Sequence, residues 1–252
     1  MKIYSFGDEN APIIMLLPGT CCHWKSNFAK VIPSLADTYH VLCVSYDGFD
    51  ETEDTEFTTM IGETEKIEHY IMEHFKGHIR AAYGCSLGGS FVGLLVERKN
   101  IRIDYGILGS SDLDQASPFV AKLQTNLMLP MIYPVIRDGQ MPFHFLQKQV
   151  QKMGDYVNSF IEMFGGARPY ITKQSCKNQF YSDLITSMPE KIDVDGTEIH
   201  IFYALKMGKK YRDRYERHFA HPIFHEQDLQ HEELLACYPD KWVNLVKSIV
   251  TF

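Results

Sequence analysis

The sequence predicts an α/β fold: a mostly parallel sheet flanked by helices. Three observations carry this. Short β-rich runs alternate with amphipathic helical patterns. The runs Ile13 to Leu17 and Val41 to Ser45 are continuously apolar, as strands buried on both faces should be, and most of the runs close on glycine or another turn residue. Strand, helix, strand with short connections implies right-handed crossovers and hence parallel pairing.

Taken in order, Lys2 to Phe6 is a single strand-like run. Ile13-Ile14-Met15-Leu16-Leu17 is a buried strand ending at Pro18-Gly19, and Val41 to Ser45 is another, closed by Asp47-Gly48. Ile67, Tyr70, Ile71, His74 and Phe75 fall on one helical face. Ile79 to Tyr83 runs into Gly84, and Ile103 to Leu108 runs into Gly109-Ser110-Ser111-Asp112. Ile199 to Leu205 and Ile223 to Leu229 supply the last two strands. Trp242, Leu245, Val246, Ile249 and Val250 mark a final helix beginning near Pro239.

One stretch breaks the alternation. Between Ala116 and Ile192 there is no convincing strand, and Pro118, Pro130, Pro134, Pro142, Pro169 and Pro189 are expected to cut it into short helical pieces. It is rich in Met128, Met131, Tyr133, Phe143, Phe145, Phe160, Met163 and Phe164. The expected organisation is a core of residues 1–115 and 193–252 with a helical cap, 116–192, inserted between sheet strands. Apolar cap residues that wall a site would favour medium-length acyl chains over acetyl; the same residues could equally serve only to glue the insertion to the core.

Composition narrows the function. With 252 residues and 45% hydrophobic side chains, the chain can bury a core, which excludes a disordered protein. The net charge of -7 argues against nucleic-acid binding through a basic surface. No apolar run reaches the roughly 18 residues of a membrane helix. Met1 to Asp8 lacks the apolar core of a signal peptide, and Cys21, Cys22, Cys43, Cys85, Cys176 and Cys237 form no Cys-x-x-Cys pair. A cytoplasmic, disulfide-free protein without metal is expected.

The chemistry concentrates at Gly84-Cys85-Ser86-Leu87-Gly88-Gly89, between an apolar strand and the helical Phe91 to Leu95. This is Gly-x-Ser-x-Gly in its required setting. A strand that reverses sharply into a helix strains the serine backbone, and glycines two positions away leave room for neighbouring backbone. The helix N-terminus behind the serine favours developing negative charge.

With this elbow, the Leu17-Pro18-Gly19-Thr20 turn, the inserted helices and a histidine near the C-terminus, the chain resembles the α/β-hydrolase family over nearly its whole length. The resemblance implies a Ser-His-acid triad above the carboxyl edge of the sheet, with the N-terminal hairpin shortened here. Ser86 is the implied nucleophile. The implied oxyanion hole is made of the backbone N–H groups of Leu87 and Thr20, with Cys21 in reserve. Of the 11 histidines, His231 follows the last strand and fits the base.

The acid departs from the family, whose usual position falls at Lys206-Met207. A known variation places it after the preceding strand, where Asp112 is preferred to Asp114. Glu232 is disfavoured because neighbouring side chains usually diverge. The basic stretch Lys209 to Arg217 reads as a solvated helix of mixed charge, or as a local site for a substrate carboxylate or phosphate.

The implied activity is a carboxylesterase-like serine hydrolase acting on an ester, thioester or amide of a small, partly apolar acyl compound, without a cofactor. An acyltransferase and a non-catalytic ligand-binding protein on the same fold are the alternatives. The expected partner is the small-molecule acyl substrate, and a homodimer is left open.

Overall fold

The computed structural model describes residues 1–139, 155–164 and 168–251. Its sheet has seven strands: β1 (Lys2–Phe6), β2 (Ile13–Leu17), β3 (His40–Ser45), β4 (His78–Gly84), β5 (Arg102–Leu108), β6 (Glu198–Ala204) and β7 (Pro222–Gln227). Their order across the sheet is β1-β3-β2-β4-β5-β6-β7. Only β1 is antiparallel, paired Lys2 to Ser45 through Phe6 to Val41, and the other six run parallel.

The uninterrupted apolar runs are explained by two cores, one on each face. Successive residues of a strand point to opposite sides. Met15 and Leu17 of β2 pack with Ile67, Ile71, Phe91 and Val92, which lie on α3 (Met60–Phe75) and α4 (Leu87–Arg98). Ile14 and Leu16 pack on the other face with Trp24 and Phe28 of α1 (Trp24–Phe28) and Leu35 of α2 (Ile32–Ala36). Trp242 and Val246, the apolar stripe of the last helix, complete that face.

Among the described residues, three helices lie between β5 and β6: α5 (Pro118–Asp138), α6 (Asp155–Phe164) and α7 (Lys173–Ile185). Pro130 and Pro134 do not cut this region as expected, whereas Pro169 and Pro189 lie outside its helices. Pro118 opens α5 at its first turn, and the helix runs on through Pro130 and Pro134 for 21 residues. A helix-interior proline loses one N–H bond and crowds the carbonyl four residues back. The exposed side of α5, with Phe119, Leu123, Leu127, Met128 and Met131 open to solvent, lets water reach the backbone there. Pro142, Phe143 and Phe145 lie outside the described residues. The remaining helices are α8 (Lys209–His218), α9 (Glu233–Cys237) and α10 (Pro239–Ile249), the last beginning at Pro239 as its pattern predicts. No helix among the described residues is long and apolar enough to cross a membrane.

The sheet order sets the place of the site. β2 leads to β3 on one side and neighbours β4 on the other, so the loops leaving β2 and β4 open onto one crevice at the carboxyl edge.

Candidate active site

Ser86 stands between β4 and α4 at φ 49° and ψ −114°, outside the regions an L-residue favours. Such a conformation costs on the order of 1–3 kcal/mol and persists only where packing imposes it. Here it does. A Cβ on Gly84 would overlap the Gly88 carbonyl and the Gly89 nitrogen, and one on Gly88 would overlap the Leu17 carbonyl. The Cys85 N–H donates to that same Leu17 carbonyl at 3.0 Å, locking the elbow to β2.

The turn aims Ser86 at the loop after β7. His231 Nε2 lies 3.2 Å from Ser86 Oγ, although 145 residues separate them. His231 is held by its own carbonyl, which accepts the Tyr156 hydroxyl at 2.9 Å from α6. Burial pushes its imidazole pKa below the ordinary 6.5, and the charge of Glu232 pulls the other way. The ring is therefore neutral near pH 7, as a proton acceptor must be.

Two N–H groups remain for an anion. Leu87 is the first residue of α4, and among the described residues neither its N–H nor that of Thr20 has an acceptor. The reserve donor, Cys21, is occupied: its N–H donates to Gln179 Oε1 at 2.6 Å. Asn27 fixes the rest of this loop, accepting the Gly19 N–H at 2.9 Å and donating to the Met163 carbonyl at 3.0 Å. Gly19, Thr20, Cys22, Cys85, Ser86, Met163, His231 and Glu232 line a cavity of about 50 Å³. Burial raises both thiols, Cys22 to about 12 and Cys85 well above its usual value, so neither is a thiolate.

Asp112 is not brought to His231: no hydrogen bond joins them. Leu113 takes a left-handed φ of 46° and turns the loop toward α8. Arg214 then holds the segment by donating to the Asp112 carbonyl at 2.8 Å and pairing with Asp114 at 2.5 Å. Burial, and then the neighbouring Asp114, raise the Asp112 carboxyl pKa. Several cations of α8 face acids, with Lys209 on Asp213 and Arg212 on Glu216 and Glu226, while Lys210 lies over the Tyr211 ring. Lys206 and Met207 occupy a short 3₁₀ turn after β6, with Lys206 4.0 Å from Asp228.

The carboxylate found at the site is Glu232. Its backbone is left-handed, φ 55° and ψ 13°, which folds the side chain beneath the elbow instead of away from its neighbour. Oε1 accepts the N–H groups of Ser86 at 2.7 Å and Ser110 at 2.8 Å, and Oε2 accepts the Tyr83 hydroxyl at 3.1 Å. Gly109 gives it room, since a Cβ there would overlap Oε1.

His23, Asp50 and Glu51 form an acidic cluster of a size that could hold a cation. His23 Nδ1, however, accepts the Lys25 N–H at 3.2 Å, so the ring proton sits on Nε2, which faces Glu51 at 2.8 Å as a donor. Asp50 is filled by Tyr4 and Thr52, and Glu51 by Lys25. The two carboxylates already have protein donors, and a ring proton on Nε2 leaves His23 no free lone pair to offer a cation.

Residues 12–160 match the sequence profile of the alpha/beta hydrolase fold. The chain belongs to that family. Its fold is similar to a protein from Desulfitobacterium hafniense assigned to the alpha/beta hydrolase family, at 16% identity and a TM-score of 0.81, covering 99% of this chain and 100% of that one. It is similar also to a lipase-esterase related protein from Clostridium acetobutylicum ATCC 824, at 16% identity and TM-score 0.70, with 98% of each chain covered. A 1H-3-hydroxy-4-oxoquinoline 2,4-dioxygenase shares the fold at 17% identity and TM-score 0.65, covering 99% and 95%. No curated protein matches the chain. Neighbours of such different chemistry share the scaffold, so the reaction has to be argued from the site.

Proposed function

We propose that this chain is a serine hydrolase that cleaves an ester, thioester or amide of a small acyl compound through an acyl-Ser86 intermediate. The observation that carries the reading is Ser86 Oγ at a strained strand-to-helix turn, 3.2 Å from the neutral, half-buried His231. His231 Nε2 takes the Ser86 proton as Oγ adds to the substrate carbonyl carbon. The carbonyl oxygen becomes an oxyanion between the N–H groups of Leu87 and Thr20, donors fixed before the charge appears. Collapse of the tetrahedral intermediate expels the alcohol, thiol or amine, which takes the proton from His231. Water, deprotonated by His231, then releases the acid and restores Ser86.

The helices between β5 and β6 act as the cap in this reading, with Met163 over Ser86. A cavity of about 50 Å³ has room for roughly three to five water-sized atoms. That favours short acyl groups over the medium-length chains that an apolar cap alone suggests. A panel of p-nitrophenyl esters tests this. Acetyl to butyryl esters should be best and octanoyl esters poor, and Ser86→Ala should remove turnover of all of them. A Ser86→Ala protein that hydrolyses at the wild-type rate would overturn the mechanism. Failure of the wild type on every ester, thioester and amide offered would favour the ligand-binding alternative, whereas product formed only with an alcohol acceptor would favour acyl transfer.

A further inference from the structure

We propose that Glu232 is a positioning residue of the Ser86–His231 pair, supplying the buried negative charge that the family takes from an acid at the Lys206-Met207 position. The inference rests on the serine-hydrolase reading and deepens it. The three hydrogen bonds accepted by the Glu232 carboxylate come from the catalytic turn, the end of β4 and the loop after β5. Oε1 bridges the N–H groups of Ser86 and Ser110, and Oε2 takes the Tyr83 hydroxyl. The backbone N–H of Glu232 donates back to Ser110 Oγ at 3.0 Å, so the His231 loop and the loop after β5 are tied in both directions. Glu232 itself is only 4% exposed, and it lines the same cavity as Ser86 and His231.

Three donors converge on this carboxylate inside the fold, the N–H groups of Ser86 and Ser110 and the Tyr83 hydroxyl. Its charge acts in a water-poor pocket, where interactions are strong. Acylation moves a proton onto His231 and places negative charge between Leu87 and Thr20. Glu232 adjoins the imidazole in the chain, and its oxygens are turned toward the N–H of Ser86 and the β4–β5 side. Its charge raises the proton affinity of His231, so the imidazolium formed during acylation is stabilised by it. Glu232 also fixes the Ser86 backbone, which aims Oγ at His231.

These two contributions are separable. In Glu232→Gln the amide oxygen can keep accepting both N–H groups while the charge is gone. A residue that only held the turn would leave the pH profile unchanged. An electrostatic partner predicts that kcat falls on the order of 10²-fold with KM little altered. The acid limb of kcat/KM should also move to lower pH, because the charge that raises the His231 proton affinity has been removed. Tyr83→Phe offers a second reading with the opposite sign. Removing one donor leaves the carboxylate less neutralised, so the acid limb should move to higher pH.

The assay is p-nitrophenyl acetate hydrolysis from pH 4.5 to 9, alongside fluorophosphonate labelling of Ser86. Glu232→Gln with wild-type kcat and pH profile, or with a higher kcat, overturns the assignment. If the wild type itself takes no label, the hydrolase reading fails instead, and the two failures are told apart. A Glu232→Gln protein that does not fold leaves the decision to Tyr83→Phe, whose unshifted profile would count against the proposal.

Discussion

Asp183 offers a test of how α7 is seated on the core. Its carboxyl end is enclosed between α7 and α4, where burial raises its pKa to about 7, a hydrogen bond with Ser90 works in the opposite direction, and Asp112 and Asp114 add repulsion. An acid whose folded-state pKa is raised binds its proton more tightly in the native state. Stability is then full below the unfolded value near 3.8 and is lost as pH rises toward 7. Linkage between these two values gives a loss of roughly 2 kcal/mol by pH 5 and roughly 4 kcal/mol by pH 8.5, so roughly 2–3 kcal/mol disappears between them. Asp183→Asn removes this titration and keeps a group able to hydrogen-bond Ser90. Urea unfolding of both proteins at pH 5 and 8.5 measures it, and the variant should gain on the wild type by roughly 2–3 kcal/mol over that interval. Equal pH dependence in the two proteins would refute the reasoning.

Three other outcomes follow from the same packing. Gly84→Ala should disrupt the elbow, lowering stability by roughly 3 kcal/mol or more and abolishing esterase activity, since the added Cβ meets backbone that cannot yield; thermal melting and ester hydrolysis read both. Gln179→Ala leaves the buried Cys21 N–H without its acceptor and should cost about 1–3 kcal/mol in urea unfolding. It should also lower kcat about tenfold, as the loop that offers the Thr20 N–H loosens. The wild-type kcat/KM should hold at pH 6.5 and fall only at lower pH, because protonation of His231 stops the reaction and its pKa lies below 6.5; a limb centred above 6.5 would contradict the burial argument.

The sheet was legible because five of its strands, β2 to β6, are largely buried on both faces and so read as mainly apolar runs, from Ile13 to Leu17 onward. Ser86 was legible because a strand-to-helix reversal admits few spellings, and His231 because one histidine follows the last strand directly. The carboxylate was not legible. Glu232 reaches the elbow only through its left-handed backbone, a conformation that nothing in Gln230-His231-Glu232-Glu233 announces. Asp112 misled for a related reason, since the turn at Leu113 and the grip of Arg214, 102 residues away, set its direction. Gly109 was the one local signal, a missing side chain that makes room for an oxygen from elsewhere. The prolines of α5 misled because their cost is real but smaller than the packing of α5 against α7, anchored from Tyr133 to the Ile171 carbonyl at 3.1 Å.

The central claim is that Ser86 is an activated nucleophile, and intact-mass analysis after fluorophosphonate treatment tests it most directly. The wild type should gain one phosphonyl group, mapped to Ser86, at a rate that falls sharply in His231→Ala, while Ser86→Ala gains none. A wild-type protein that stays unlabelled, or a label that persists in Ser86→Ala, would contradict the account.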